Sequence, residues 1–361
     1  MRVAAFRSRL LVFSLTQPHT SLNSLINRTF ISSLYLMFRI SILIFLSCFF
    51  AQSAKAWGFW AHQRINRLAV FTLPPGMFRF YKENIEYLTE HAVDPDKRRY
   101  AVDGEAPRHF IDLDHFCTYP CEDFPKEWNQ AKEQFSEDTL QAYGIVPWTI
   151  EWTMRNLTKA FVAGNKAQIL KYSADLGHYI GDSHVPLHTT ENYNGQFTNQ
   201  YGIHGFWESR LPELFHEDYD FFVGKATYIK EENAFIWENI LHAHSYLEEV
   251  LNLERYLDSI YPKDKKYSFE TRGETVVRTY SESYAFDYHE LLKGMVEAQM
   301  RLSIKHVGDL WFTCWVNAGM PDLHNLDTKD WQDEDQLGLI QNEGKIKSRS
   351  HAETGLDVIV D

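Results

Sequence analysis

At 361 residues, with 44% hydrophobic and 15% aromatic content, the chain carries enough apolar surface for one sizeable core, so one large domain is expected. Its 36 Lys and Arg against 49 Asp and Glu leave a formal charge of −13, which argues against a protein that grips duplex nucleic acid by broad phosphate neutralisation. A local cationic patch could still draw a small polyphosphate or a lipid headgroup.

Residues 1–56 read as targeting sequence. Met37 to Phe50 is an apolar run behind Arg39, followed by Ala54-Lys55-Ala56, a small-x-small cleavage site, so Met37 is the expected start and Trp57 the expected first residue of an exported chain. The run is shorter than the roughly 20 apolar residues a membrane span needs, which disfavours a retained anchor. The chain is therefore expected in the periplasm or outside the cell. Of the cysteines, Cys48 leaves with the signal, and Cys117, Cys121 and Cys314 enter an oxidising compartment where one bridge and one orphan thiol can form.

From Trp57 on, apolar residues recur at three and four. Ala61–Tyr81, interrupted at Leu73-Pro74-Pro75-Gly76, and Glu83–His91 read as helices, and 94–120, rich in Asp, Pro and Gly, as a long ordered loop of the kind that is usually functional. Glu122–Tyr143, Pro147–Val162, Lys166–Gly181, His204–Phe215, Asn233–Tyr261 and Thr275–Trp315 follow as further helices. No strand alternation persists, and beyond Pro321 the chain turns polar. The expected fold class is all-α: one multi-helix bundle over residues 57–321 with a polar, mobile tail over 322–361.

The chemistry concentrates in H-Y-I-G-D-S-H-V-P-L-H, residues 178–188, and H-G-F-W-E, residues 204–208. On a helix His178 and Asp182 share a face, as do His204 and Glu208, and each pair can present two ligands to one cation. His188, held in an extended approach by Pro186, can turn back toward them. A single His-x-x-x-Asp pair is mostly a solvated ion pair, and His184 in the same run has no ligand partner one turn before it, so it reads as a supporting or surface group. Accumulation makes the case, because two pairs and His188 fall within 31 residues, with more donors upstream. Imidazole with carboxylate is the mixture that suits zinc. W-G-F-W-A-H places His62 five residues after a free α-amino group, and Asp94 and His109, fifteen residues apart, could complete another site.

With these residues in place the sequence resembles the superfamily of zinc-dependent bacterial phospholipases C and single-strand-specific zinc nucleases of fungi and plants. The resemblance implies an all-α protein with three Zn2+ ions in a cleft. It implies one zinc held by Asp94, His109, His178 and bridging Asp182, a second by His188, His204 and Glu208, and a third by Trp57, His62 and Asp182. The spacings Trp57 to His62 and Asp94 to His109 resemble the nucleases, whereas Glu208 and the short gap from His188 to His204 resemble the phospholipases. Phe110 is then either a base-stacking residue or a buried aromatic. Lys97 stands where the nucleases carry a phosphate-contacting Arg, beside Arg98 and Arg99, and a surface charge run is the plainer reading of all three. Cys121 and Cys314 resemble a nuclease disulfide by position.

The reaction so implied is phosphodiester hydrolysis by a metal-bridging hydroxide, with Asp182 and Asp94 in the catalytic centre, Lys97 or Arg98 on a phosphate oxygen, and Asp112 or Asp114 orienting water. The substrate would be a phospholipid headgroup, with peripheral membrane contact, or single-stranded nucleic acid or a nucleotide. No stable protein partner is evident in the sequence. The alternative is a noncatalytic, zinc-stabilised binding module.

Overall fold

The computed structural model describes residues 58–272, 275–324 and 326. Residues 1–56, read above as a targeting segment, Trp57, the expected amino-terminal metal ligand, and residues beyond 326 lie outside the described residues.

The protein is mostly helical, as expected. We label the longest helices α1 (Phe59–Ala69), α2 (Val146–Ala163), α3 (Lys166–Ser183), α4 (Glu232–Ser245), α5 (Leu247–Ile260), α6 (Glu282–Leu291) and α7 (Met295–Asn317). α3 is the central rod. Every residue from Tyr172 to Ser183 is buried, so this helix is covered on all sides rather than on one stripe. It begins where Gly164, in the left-handed region at φ 62°, ends α2 and the Asn165 side chain accepts from Gln168 N–H at 3.1 Å.

Two glycines of α3 let α1 approach closely. A Cβ on Gly177 would lie 1.9 Å from Asn66 Oδ1, and one on Gly181 would lie 3.0 Å from His62 Nδ1. α7 closes the other side, with Trp311 Nε1–H donating to Ser173 O at 3.0 Å. Around these helices sits a core containing Ile65, Ile169, Leu176, Ile180 and Trp311; a second apolar cluster gathers Phe206 and Trp207 with Tyr280, Tyr284 and Tyr288.

Several expectations are corrected. The helix expected over Thr275–Trp315 is three elements. β1 (Tyr267–Arg272) and β2 (Thr275–Tyr280) pair antiparallel in the register Tyr267↔Tyr280, and α6 and α7 follow. The β-branched run Thr275-Val276-Val277 loses side-chain freedom in a helix and favours a strand. Gly294, at φ 80°, then separates α6 from α7 although Leu291 and Met295 keep helical spacing across it. The helix expected over Asn233–Tyr261 breaks at Tyr246, and the one over Glu122–Tyr143 becomes Trp128–Phe135 and Glu137–Tyr143. The long loop carries short helices at Asp94–Arg98, Ala106–His109 and Leu113–Phe116. Cys117 bonds Cys121 and Cys314 is a buried free thiol, so the Cys121–Cys314 pairing is not formed.

Candidate metal centre

Five segments converge on Asp182. α3 supplies His178 and Asp182, α1 supplies His62, the turn Ala106–His109 supplies His109, the turn Pro186–Thr189 supplies His188, and Ile203–Arg210 supplies His204 and Glu208. All seven are at least 96% buried. Asp182 Oδ2 lies 2.9 Å from His109 Nδ1 and 3.2 Å from His178 Nε2; its Oδ1 lies 3.3 Å from His62 Nε2 and 3.8 Å from His188 Nε2. Beside it, Glu208 Oε2 is 3.1 Å from His204 Nε2 and 3.3 Å from His188 Nε2.

The ring orientations decide what this cluster can hold. His178 Nδ1–H donates to Ala92 O at 2.8 Å and His188 Nδ1–H donates to His109 O at 2.6 Å. In a neutral ring each Nε2 is then a lone pair, aimed at carboxylate oxygens that are also acceptors. Each Nε2 also faces a second ring, His178 Nε2 at 3.0 Å from His109 Nδ1 and His188 Nε2 at 3.1 Å from His204 Nε2, so imidazoles and carboxylates crowd one buried site, and a cation between them would satisfy the acceptors that the few ring N–H groups leave over. Burial pushes His62 down and His109 well below the ordinary imidazole range, which favours the neutral form that can ligate a metal. His62 Nδ1 and Nε2, Asp96 Oδ1 and Oδ2, Asp182 Oδ1 and His204 Nδ1 also lack a hydrogen-bond partner although buried. These are the marks of a site that fits divalent metal.

Three trios have ligand atoms mutually within 4.8 Å: His62, His178 and Asp182; Asp96, His109 and His178; and His188, His204 and Glu208. Burial alone would raise the carboxyls of Asp182 and Glu208. The positive charge of protonated His178 and His188 would outweigh it and hold Asp182 well below the carboxylate range, as that of His204 and His188 would hold Glu208 down, and a cation in the same place would act in the same sense. Asp96 is pushed well above that range by burial, opposed by His62 and reinforced by Asp182.

Of the residues expected from sequence, the structure brings together His62, His109, His178, Asp182, His188, His204 and Glu208. Asp94 stands apart. Its carboxylate binds His91 Nδ1 at 2.5 Å and Lys97 Nζ at 2.8 Å at the surface, and Asp96, two residues on, takes the buried place 3.7 Å from His109 Nδ1. The D-P-D triplet contains both candidates, and only the start of a helix at Asp94, which turns that residue outward, separates them. Lys97 pairs with Asp94 at 2.8 Å, and Arg98 with Asp175 at 3.2 Å and Glu105 at 3.4 Å. Arg99, 7% exposed, is the member of the run whose charge acts on Asp96 and His109.

Phe110 is 1% exposed, the buried aromatic rather than a stacking surface. Asp112 is buried, and Asp114 ties a loop by accepting from Thr190 Oγ1 at 2.6 Å and Glu191 N–H at 3.0 Å. His184 is buried behind the centre, with its Nε2 2.8 Å from His306 Nδ1. Sequence reasoning missed Glu105. This carboxylate, 1% exposed, accepts from Tyr179 Oη, lies 3.7 Å from Arg108 and stands 3.9 Å from His109 Nε2. Its signal is the i,i+4 spacing to His109.

No family model matches the chain, and no curated protein matches it either. Among solved structures it is similar to an alpha-toxin of Clostridium perfringens isolated from avian strain SWCP, at 15% identity and a TM-score of 0.44. That superposition covers 75% of this chain and 66% of the toxin chain, so the chain spans just under two thirds of that protein's length.

Proposed function

We propose that the chain is an exported zinc-dependent phosphoric ester hydrolase that cleaves phosphodiesters. The observation that carries this is the convergence of His178 Nε2, His188 Nε2 and the oxygens of Asp182 and Glu208 in one buried site, where Asp182 Oδ1 and both ring nitrogens of His62 lack a hydrogen-bond partner. The donor set is imidazole and carboxylate without thiolate, the mixture that suits zinc. Divalent cations bound there would polarise phosphoryl oxygens and acidify water.

The chain's own residues divide the remaining work. Asp182 directs one oxygen toward His62 and the other toward His109 and His178, so it would serve two neighbouring sites. His188, His204 and Glu208 would hold a further ion, and Asp96 takes the place expected of Asp94. Ala92 O and His109 O orient two of the imidazoles, which lowers the cost of ordering them around an ion. The buried positive charge of Arg99 beside Asp96 suits an anionic substrate.

Trp57, freed by cleavage after Ala56, is proposed as a further ligand beside His62. The substrate is a phospholipid headgroup or single-stranded nucleic acid. Chain beginning at Trp57 is to be purified, analysed for metal, and assayed side by side on phosphatidylcholine vesicles and single-stranded DNA, with and without chelator. Turnover of either that chelator abolishes and zinc restores supports the proposal. Zinc-loaded protein inert on both, yet unfolded by chelator, would favour the noncatalytic module.

A further inference from the structure

Glu208 stands in an unusual stretch of backbone. Ile203–Gly205 is α-helical, Phe206–Arg210 is a π-helix in which Leu211 N–H reaches back to Phe206 O, and α-helix resumes over Leu211–Phe215. The sequence supplies a cause. Pro212 has no N–H to give the carbonyl four residues back, that of Glu208, and its ring crowds that carbonyl, so a wider turn relieves the conflict. A π-turn is rare and sensitive to its surroundings, and it needs holding from outside.

The hold comes from the hairpin. Arg210, 7% exposed, sends Nη1–H to Glu270 Oε2 at 2.9 Å and Nη2–H to Glu270 Oε1, a two-pronged charged clamp onto β1, and Ser268 Oγ–H adds a bond to the same carboxylate at 3.2 Å. On the same turn Ser209 Oγ accepts Gly58 N–H at 3.0 Å, while Phe206 stacks on Tyr280 of β2 with centroids 3.9 Å apart. The hairpin thus grips the π-turn at two residues flanking Glu208. His204 and Glu208 belong to the proposed metal centre; the Arg210–Glu270 pair lies outside that ligand set.

We propose that Arg210 and Glu270 are positioning residues: their clamp fixes the π-turn so that Glu208 faces His188 and His204, and the paired strands β1 and β2 thereby set how tightly the His188, His204 and Glu208 trio retains its ion. The inference rests on the metal-centre reading above. It is tested by zinc titration of metal-free wild-type protein, Glu270→Gln and Arg210→Lys, followed calorimetrically with zinc alone as the probe. Glu270 is one third exposed, and its amide variant keeps the shape of the hairpin.

The expected result is that each variant weakens a single zinc equivalent by about 10- to 100-fold, the range for losing a group that orients a ligand, and leaves the other equivalents at wild-type affinity. Arg210→Lys keeps the charge but loses the fork, so it should fall with Glu270→Gln rather than with wild type. Wild-type affinities throughout, or equal weakening of every equivalent, would overturn the positioning role while leaving the metal centre standing. A wild-type protein that binds no zinc would overturn both.

Discussion

His109 Nδ1 and Asp182 Oδ2 stand 2.9 Å apart although 73 residues separate them in the chain. This contact joins the turn Ala106–His109 to the central helix α3, and the other Asp182 oxygen faces His62 and His188. One carboxylate is therefore the hub of the candidate centre.

Asp182→Asn keeps the shape of the side chain and removes its charge. Because its two oxygens face different trios, the substitution should lose more than one zinc equivalent and lower phosphodiester turnover by more than about 100-fold, beyond what loss of an orienting group costs. Elemental analysis of the purified variant decides it: full wild-type zinc content would remove Asp182 from the hub.

Asp94 and Asp96 separate the sequence expectation from the structure. Asp94 is tied to His91 and Lys97 at the surface, whereas Asp96 is buried against His109 and His178. Asp96→Asn should lower zinc content and turnover by at least about 10-fold, and Asp94→Asn by less than about 2-fold. The reverse order in metal analysis would restore the expectation from sequence.

Gly177→Ala tests the packing that brings α1 onto α3. The new Cβ would meet Asn66 Oδ1 at 1.9 Å, and Asn66 is held by Nδ2–H bonds to Ala174 O at 3.1 Å and Leu88 O at 3.3 Å. Overpacking of about 1–3 kcal/mol, plus about 1 kcal/mol for each hydrogen bond lost, predicts destabilisation near 3 kcal/mol. Chemical denaturation measures it, and a change below about 1 kcal/mol would mean that Asn66 has room to move.

Acid should destabilise the core through the His184–His306 pair. His184 Nδ1–H donates to Ile180 O at 2.7 Å, so its Nε2 accepts from His306 Nδ1–H at 2.8 Å, and both rings are neutral. Burial lowers His184 to about 4, and burial with the neighbouring His184 lowers His306 to about 2. The unfolded chain binds these protons first, near pH 6.5, so stability is full above that pH and declines as pH falls toward 4. For His184 alone the complete change is roughly 3 kcal/mol at about 1.4 kcal/mol per pH unit. Urea unfolding of metal-free protein from pH 7.5 to 4.5 should show a shallower decline for His306→Gln than for wild type; coincident slopes would refute the assignment.

Much of the candidate centre was legible in the chain because helical spacing is local. His178 with Asp182, and His204 with Glu208, lie one turn apart wherever a helix forms, so the pairs could be read before any fold was known. The all-α class follows from the same periodicity. The strands β1 and β2 escaped because the β-branched residues of β2 adjoin a long helical pattern, and a pattern of three and four reads through a break such as Gly294.

What only the tertiary structure decided is which way each donor faces. Asp94 and Asp96 are chemically alike and two residues apart, and the direction in which a short helix leaves Val93 keeps one partly exposed against His91 and Lys97 and buries the other against His109. Likewise Lys97, Arg98 and Arg99 form one basic run in sequence, yet in the fold Lys97 pairs with Asp94, Arg98 pairs with Asp175 and Glu105, and Arg99 is buried where its charge bears on Asp96 and His109. Glu105 and Glu270 act from behind, through His109 and Arg210, across contacts that no spacing encodes. The sequence by itself determined the kinds of donor and their local pairing; long-range packing around α3 chose among near-identical neighbours, because burial and direction belong to the folded chain as a whole.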